Sequence, residues 1–284
     1  MDLVDRGDAD VVTFTDTTTL PPDRIRDLRR RYHVNRRRLW TRQRLGRMNL
    51  IFNVERPLFR HARARRAVSF ALDRNQLVSA HGPLAGSLTD QLLLPGRPGF
   101  HDWKLFPPHP NIAFARRLAR GVARRTVSMV VPDNEWGRNV GDVVRANLGR
   151  IGLRVNVKRL SPEPDTFIVL IASVRDWDLA AWGWSTYRDD PLAYINYPLI
   201  GNTLADSNLG RFDERVWIRR MQRVAGMRRG RLKAYALLDR DLMRQAAPLV
   251  PYLAGNALTL FSARVGCRSW TSDGFPSVAG LCLH

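Results

Sequence analysis

The sequence lacks a long hydrophobic run. Its longest apolar stretch, Phe167–Val174, is far shorter than the roughly 18 residues that a membrane-spanning helix needs. The start of the chain, Met1–Asp10, is acidic and has no apolar segment of the kind found in secretory signal peptides. We therefore expect neither a transmembrane helix nor a signal peptide in this chain.

Cysteine is scarce, since Cys267 and Cys282 are the only two. Their spacing matches none of the metal-binding or redox motifs, such as CxxC. The pair is therefore either two reduced thiols or a disulfide that closes a short loop near the C-terminus. In an oxidising compartment such a crosslink contributes about 3 kcal/mol to stability.

Lysine and acidic residues are few beside arginine. Only three of the 46 basic residues are lysines, and 26 acidic residues leave a formal net charge of +20. About half of this excess lies in Arg24–Arg47, and the other half is spread along the chain. The local run is either a solvated helical face or a nucleic-acid-binding module at residues 24–47. We favour the solvated face and expect no nucleic-acid partner, because charge runs carry little specificity.

Catalytic motifs are missing as well. The sequence has no P-loop, no GxGxxG after a strand, no GxSxG and no HExxH. His101 and His109 flank Asp102 but lack metal-ligand spacing and a third convincing ligand. Asp189 and Asp190 are adjacent, so their side chains should diverge rather than form a catalytic pair. We therefore expect binding without catalysis, and no cofactor or metal.

What the sequence does contain is an aromatic stretch from Asp176 to Asn202. Alternation over Trp177–Trp182 predicts a short strand that Gly183 ends. Pro191 then suits the first turn of a helix, with the aspartates before it as a turn or cap. Aromatic rings with nearby charges can hold a ligand. They can equally fill a core, and for Trp182 we give both roles equal weight.

The remaining pattern alternates helices and strands, which is typical of an α/β fold. The predicted strands are Asp8–Thr15, Leu50–Val54, Thr126–Val131, Leu153–Leu160, and a pair, Leu249–Leu253 and Ala257–Phe261, joined by a turn at residues 254–256. Pro21–Asp23 is a helix-start signal, and a basic segment follows it to about Tyr32. Other helices are predicted along 59–74 with its arginines mostly outward, after the caps Asn111, Asp165 and Asp213, over Trp136–Ile151 and over Arg231–Gln245. The proline-rich segment His81–Pro110 is predicted to be irregular.

Six stretches between Leu50 and Val265 form an ordered set of motifs. They are Leu50–Asn53 with Pro57–Phe59 and Ala64–Arg74, Gln91–Gly96 with Pro98–Phe100, Asn111–Gly121, Asp178–Trp184 with Asp190–Pro191, Asn208–Asp213, and Pro248–Tyr252. In this order they resemble signatures of the extracellular solute-binding proteins of family 5, which serve oligopeptide, dipeptide and nickel ABC importers.

The resemblance implies an α/β chain that is the C-terminal lobe of a bilobal, periplasmic-binding-protein-like fold of type II, the peptide-binding class. Residues 1–53 would be a remnant of the first lobe and the hinge, 54–265 the second solute-binding lobe, and 266–284 a return segment. The chain would be a monomeric, non-enzymatic fragment of an importer's binding component. It would work at the periplasmic or extracellular face of the membrane, with a peptide or small solute and an ABC permease as partners.

The resemblance also implies ligand-binding residues, each of which has an alternative role in packing. Trp182, Trp184 and Tyr187 would line the cleft, Arg188 would bind a ligand carboxylate, and either Asp189 or Asp190 would be available for an amino group. The family often has an aspartate where this chain has Tyr187. The resemblance therefore does not imply ordinary recognition of a free amino terminus at this position.

Overall fold

Strands and helices alternate along the chain in the computed structural model, which describes residues 1–15, 20, 22–122, 126–200 and 208–284. The helices are α1 (Asp2–Arg6), α2 (Pro22–Tyr32), α3 (Ala62–Ala71), α4 (Arg74–Ser79), α5 (Ile112–Ala119), α6 (Glu135–Gly149), α7 (Pro164–Ser173), α8 (Pro191–Ile195), α9 (Tyr197–Ile200), α10 (Arg215–Ala225) and α11 (Arg231–Gln245). The strands are β1 (Val11–Phe14), β2 (Leu39–Phe52), β3 (Gly86–Leu88), β4 (Thr126–Pro132), β5 (Arg154–Leu160), β6 (Leu179–Ser185), β7 (Leu249–Phe261), β8 (Val265–Cys267) and β9 (Cys282–Leu283). No helix in these ranges is long and apolar enough to cross a membrane.

One mixed sheet organises the fold. Its strands run in the order β1-β7-β2-β6-β4-β5. The seventh strand, β3, pairs with β7 but has no place in this linear order. The central pairs are antiparallel, whereas β4 runs parallel to both β5 and β6. A parallel pair needs a crossover connection, and α6 supplies it between β4 and β5. The mixed α/β class predicted from the alternating pattern is confirmed.

Two long strands differ from their prediction. β2 begins at Leu39 rather than Leu50, and β7 is continuous from Leu249 to Phe261 instead of two paired strands. The predicted turn at Gly255 and Asn256 is wrong, because β2 pairs with both halves of β7. Gly255 and Asn256 of β7 lie opposite the stretch of β2 between Gln43 and Arg47, where the strand register shifts. Such a shift is a β-bulge or irregularity, which accommodates turn-like residues within a strand.

The predicted helices form, with corrections at their starts. Asn111 caps α5 by accepting a hydrogen bond from the Phe114 amide, as predicted. The predicted caps Asp165 and Asp213 are wrong, since Glu163 and Glu214 occupy the N-cap positions of α7 and α10. The predicted segment 59–74 divides into α3 and the separate helix α4, while β3 lies inside the segment predicted to be irregular.

Arg65 of α3 departs from the prediction that the arginines of this segment face mostly outward, because its side chain is fully buried. Its guanidinium donates to the carbonyls of Phe59 and Ala246 and to the Glu214 carboxylate. This arginine thus ties α3 to α10 and to the end of α11, whereas the helical pattern indicated a mostly solvated arginine face. Buried arginines of this kind look like surface charge in a sequence.

The core has separate clusters on the two faces of the sheet. Along β6, Leu179 and Ala181 belong to the main cluster, while Ala180 belongs to a second cluster that includes Phe167 and Trp177. Alternate side chains of a strand point to opposite faces, so the sheet is covered on both sides. The strand extends through Gly183 to Ser185, so the prediction that Gly183 ends it is wrong.

A third, smaller cluster lies at the other end of the long strands. Val4 and Leu28 pack there against Leu39 of β2 and against Leu258 and Leu260 of β7. The N-terminal helices thus cover the ends of strands that continue into the main sheet. The division at residues 53 and 265 stays a prediction.

The C-terminal segment forms a small two-stranded sheet, β8 with β9. Cys267 and Cys282 are joined there by a disulfide, with their Cα atoms 5.0 Å apart. Of the two states that the sequence left open, the structure contains the crosslinked one.

Candidate functional site

A cavity of about 510 Å³ opens at the end of β6, between the sheet and the N-terminus of α6. Trp182 and Trp184 of β6 and Trp136 of α6 lie in its wall. A pocket of this size falls within the range that encloses small organic ligands. The other lining residues are Thr15, Arg44, Gly46, Arg47, Met48, His81, Ala85, Pro132, Asn134, Pro162, Pro164, Ile168, Gly183, Ser185, Leu253 and Gly255.

The indole rings on β6 are held in place by the protein. Trp182 stacks on Phe167 of α7, with ring centroids 5.0 Å apart. The Trp184 Nε1–H donates to the Ala193 carbonyl at 2.9 Å. Both residues are partly exposed. Fixed rings lose little freedom when a ligand binds, which favours affinity.

The opposite wall carries a second aromatic group. Trp136 stacks on His81, with ring centroids 4.9 Å apart, and the His81 Nε2 lies 2.8 Å from the Tyr252 hydroxyl. Burial raises the pKa of Tyr252 well above its usual range, so this phenol stays protonated. Tyr252 and His81 therefore position Trp136 through a hydrogen bond and a ring stack.

Gly137 places Trp136 by allowing α6 to begin close to β4. A Cβ at this position would lie 2.0 Å from the Pro132 carbonyl oxygen, which no side chain could tolerate. The Asn134 side chain caps the helix by accepting from the Gly137 amide at 2.9 Å. The strand end, the cap and the glycine together bring the first turn of α6 to the cavity.

Arg47 lies under the cavity and is 2% exposed. Its Nε donates to Asn49 Oδ1 at 3.0 Å, its Nη1 to the Leu92 carbonyl at 3.0 Å and its Nη2 to the Tyr194 carbonyl at 2.9 Å. Burial lowers the pKa of Arg47 to about 10, so the group remains a cation at neutral pH. Its role is to join β2, the 91–94 segment and α8 beneath the site.

Asp239 of α11 is the buried anion of the same network. It accepts hydrogen bonds from the amides of Leu92 at 3.0 Å and Leu93 at 2.9 Å. Burial raises the pKa of Asp239 to about 6, although these hydrogen bonds and the Arg47 charge oppose the shift. The backbone of Leu92 therefore links the two groups, since its carbonyl accepts from Arg47 and its amide donates to Asp239.

The five predicted ligand-binding residues do not lie together. Trp182 and Trp184 line the cavity, whereas Tyr187, Arg188 and Asp189 lie outside its lining. Tyr187 is 95% exposed and Arg188 is also exposed. Beyond Ser185 the chain leaves the sheet for the turn before α8, which carries these residues away from the cavity.

Asp189 and Asp190 diverge, as expected for sequence neighbours. Asp189 accepts from Arg97 Nη1 at 3.2 Å and from the Tyr194 hydroxyl at 3.0 Å. Asp190 caps α8 through the Leu192 amide and pairs with Arg231, which lowers the pKa of Asp190. Both carboxylates therefore have partners within the fold. Among the described residues, no three histidine, cysteine, aspartate or glutamate side chains form a metal-binding group.

The arginine-rich segment 24–47 is divided among different surroundings. Arg24 and Arg38 pair with Asp5, Arg31 pairs with Asp27, and Arg47 is buried. The segment contributes to α2 and to β2, so its cations do not share one helical face. This arrangement does not favour nucleic-acid binding. The predicted solvated helical face applies only to the arginines of α2.

Sequence reasoning missed three contributors to the cavity: Arg44, His81 and Trp136. Trp136 stands at a predicted helix start, and Arg44 lies in a charge run. Neither position carries a local signal for a ligand, because only the tertiary fold brings α6 and β2 to the end of β6. The aromatic strand itself was the detectable signal.

The chain has clear relatives in sequence profile and in fold. The profile of bacterial extracellular solute-binding proteins, family 5 middle, matches residues 1–204. No curated protein sequence matches the chain. HbpA2 from Haemophilus parasuis has a similar structure, with a TM-score of 0.79 at 17% identity over 100% of this chain and 55% of that one.

Two ligand-bound structures are also similar. AgaA from A. tumefaciens, in complex with agropinic acid, gives a TM-score of 0.74 at 19% identity over 96% of this chain and 54% of that one. A dipeptide binding protein from Pseudoalteromonas sp., in complex with Met-Leu, gives 0.67 at 20% identity over 88% of this chain and 51% of that one. The chain thus spans about half the length of these relatives. Its fold is that part of a bilobal periplasmic binding protein, and the chain belongs to the family 5 bacterial extracellular solute-binding proteins.

Proposed function

We propose that this chain holds a peptide or a similar small solute in the cavity beside β6, without transforming it, as part of the substrate-binding component of an ABC importer. The observation that carries the proposal is the wall formed by Trp136, Trp182 and Trp184, whose rings are fixed by the protein and reach the cavity. Such a wall provides apolar contact area with a few polar groups to orient a ligand.

The similar structures support a small solute. One of them was solved with the dipeptide Met-Leu and another with agropinic acid. The engagement of Asp189 by Arg97 and of Asp190 by Arg231 supports binding over catalysis, since neither carboxylate is set to act as an acid or base. We place the chain at the periplasmic or extracellular face, as a monomer that meets an ABC permease.

We also propose that the chain is a fragment of a hinged receptor, with residues 1–53 and 266–284 on the side of the first lobe. A small cluster apart from the main core joins Val4, Leu28 and Leu39 to Leu258 and Leu260 of β7, which supports a first-lobe remnant at this end of the long strands, with the end of β7 packed against it. The register shift between Gln43 and Arg47 lies beside the cavity lining, where β2 passes between the two parts. Binding proteins of this kind close around a hinge formed by a few residues.

A cavity walled on one side should bind weakly. A solute that contacts one lobe buries only part of its surface, so it gives up much of the affinity of a closed cleft. We expect Met-Leu to bind this chain with a dissociation constant above about 1 µM, a range that corresponds to less than about 8 kcal/mol of binding free energy. Isothermal titration calorimetry measures this value directly, and a sub-micromolar constant would contradict the half-cleft interpretation.

Replacing Trp182 with alanine should weaken this binding by about tenfold. The change removes an indole face worth about 1–2 kcal/mol to a ligand that packs on it. Saturation-transfer NMR with Met-Leu detects weak binding, and circular dichroism checks the fold. The matched control is Trp40→Ala, since Trp40 packs on Trp270 away from the cavity. Equal losses in both variants would rule out Trp182 as a contact.

A further inference from the structure

We propose that one end of this chain docks on a bilayer that carries anionic phospholipid headgroups. The inference goes beyond solute binding, and it rests on the proposed function only for the place of the chain at a membrane face. The docking surface is a cluster of exposed arginines, which we call the arginine surface. Its members are Arg63, Arg116, Arg117, Arg120, Arg145, Arg150 and Arg154.

Hydrogen bonds join the helices that carry the arginine surface. Arg63 of α3 donates from Nη2 to the Arg117 carbonyl of α5 at 3.0 Å. Arg116 of α5 donates from Nε to the Arg150 carbonyl at the end of α6 at 2.8 Å. Cations are favourable at such helix C-termini. Each of these bonds uses one of the five N–H donors of a guanidinium, so most of the donors remain for other acceptors.

Two depressions continue the arginine surface from α5 to β5. The first, of about 600 Å³, is lined by Arg116, Arg120 and Arg150. The second, of about 550 Å³, is lined by Arg145 and Arg154. The two depressions share two glycines of the turn between α6 and β5. The arginines therefore form one continuous surface rather than scattered charges.

Ion pairs are rare on the arginine surface and common elsewhere. Within the described part of the chain, Arg145 is its one member with an ion pair, to Asp142 at 2.7 Å. The stretches that carry the surface, 56–72, 103–132 and 143–162, contain no acidic residue. In other regions several acidic residues each pair with two or more arginines; they are Asp5, Asp27, Glu55, Asp133 and Asp241.

The acidic residues outside the described ranges are Asp16 and Asp206. Their described neighbours, Thr15 and Asn208, line cavities that contain Trp182 and none of the arginine surface. Within the described chain, Asp142 is thus the acidic residue that pairs with this surface. A surface with this excess of cations attracts anions from solution or from another surface.

Apolar groups between the arginines favour a bilayer as the source of those anions. A third depression, of about 480 Å³, places Leu118 and Val122 beside Arg63 and Arg120, and both apolar residues are partly exposed. Arginine stems pack along such apolar surface while their guanidinium groups bind phosphate oxygens. Basic residues close to anionic headgroups are attracted to them electrostatically. The proposed place of the chain at a membrane face makes such headgroups available.

The arginine surface lies at the opposite end of α6 from the solute cavity. Asn134 and Trp136, at the start of the helix, line the cavity, whereas Gly149, at its end, lines two of the depressions. The 15 residues of α6 span about 22 Å. A bilayer on the arginine surface therefore leaves the cavity accessible, and solute binding should be the same with and without vesicles.

Sedimentation of the whole chain with lipid vesicles tests the proposal. We expect the chain to bind vesicles that contain one-third phosphatidylglycerol in phosphatidylcholine, and not vesicles of phosphatidylcholine alone. Raising the salt from about 50 mM to about 300 mM should weaken this binding at least tenfold, because salt screens exposed charges. No binding to the anionic vesicles, or equal binding to the neutral ones, would overturn the proposal.

Two further outcomes separate this inference from its alternatives. Salt-dependent binding to duplex DNA, together with no binding to anionic vesicles, would overturn the proposal in favour of a nucleic-acid surface. Titration with Met-Leu, by contrast, tests the proposed function at the cavity. A chain that binds Met-Leu but no vesicles would overturn this inference and leave the proposed function intact.

A triple variant tests the residues. It combines Arg120→Gln, Arg150→Gln and Arg154→Gln, whose side chains have no ion pair among the described residues. Each basic residue near anionic headgroups strengthens binding by about fivefold, so we expect at least a tenfold loss of binding to anionic vesicles. Circular dichroism checks the fold, and the comparison of vesicles with the unmodified chain does not depend on how the variant folds.

The matched control removes the same charge from another exposed region. It combines Arg29→Gln, Arg36→Gln and Arg37→Gln, in and after α2, which are also exposed and have no ion pair among the described residues. We expect this variant to lose less than about threefold in binding, because its cations lie outside the arginine surface. Equal losses in the two variants would show that overall charge attracts the chain to vesicles and would overturn the assigned surface.

Discussion

Replacing Arg47 with methionine is expected to lower the free energy of unfolding by about 3–5 kcal/mol, the range seen when one partner of a buried charge pair is removed. Methionine retains much of the length but none of the donors. The carbonyls of Leu92 and Tyr194 and the Asn49 side chain would lose a bond each, and Asp239 would lose its neighbouring cation. Buried acceptors without donors are costly.

Urea unfolding at pH 7, followed by circular dichroism, measures this change. Arg42→Met is the matched control, because Arg42 is on the same strand but is partly exposed and lies against the partly exposed rings of Trp40 and Trp270 rather than in the core. We expect the control to lose no more than about 1 kcal/mol. A loss below 1 kcal/mol for Arg47→Met would show that the buried network does not support the cavity floor as described.

The pH dependence of stability should change when Asp239 becomes asparagine. Burial raises the folded-state pKa of Asp239 from 3.8 to about 6, so the folded protein binds more protons than the unfolded chain between these values. The stability from this group is therefore largest below about pH 4 and is lost as the pH rises through about 6. The free energy of unfolding of the unmodified protein, relative to Asp239→Asn, should fall by about 2–2.5 kcal/mol between pH 4 and pH 7.

Urea unfolding of both proteins at pH 4, 5, 6 and 7 tests this trend. Asp241→Asn, on the same helix, is a control with the opposite sign. Although partial burial opposes the shift, hydrogen bonds from Arg240 and Arg220 lower the pKa of Asp241. The advantage of the unmodified protein over Asp241→Asn should therefore increase with pH. A flat difference for Asp239→Asn would show that Asp239 is an ordinary solvated carboxylate.

The helices were the most predictable part of the fold, because their apolar spacing and caps are local. Asn111 and Asp190 act as the caps that the sequence indicates. The long strands were harder, since an arginine-rich segment hides the start of β2 and a glycine interrupts the pattern of β7. Their continuity arises from pairing between residues about 200 positions apart. No local pattern contains that information.

The site was predictable only where its residues are adjacent on one strand. Trp182 and Trp184 could be found because an aromatic strand is unusual, but Trp136 and Arg44 reach the cavity from other elements. Asp189 was predicted to bind a ligand but instead accepts a hydrogen bond from Arg97, which is far away in sequence. Nothing in the sequence indicated that partner. Arg47 and Arg65 likewise counted as surface charge until the fold showed them buried.

The most direct test of solute binding at this cavity follows the tryptophan indole N–H signals in two-dimensional NMR during titration with Met-Leu. The account predicts shifts for Trp136, Trp182 and Trp184, which line the cavity, and none for Trp40 and Trp270, which pack on each other elsewhere. Unchanged signals of the three cavity indoles at millimolar solute, or shifts confined to Trp40 and Trp270, would contradict it.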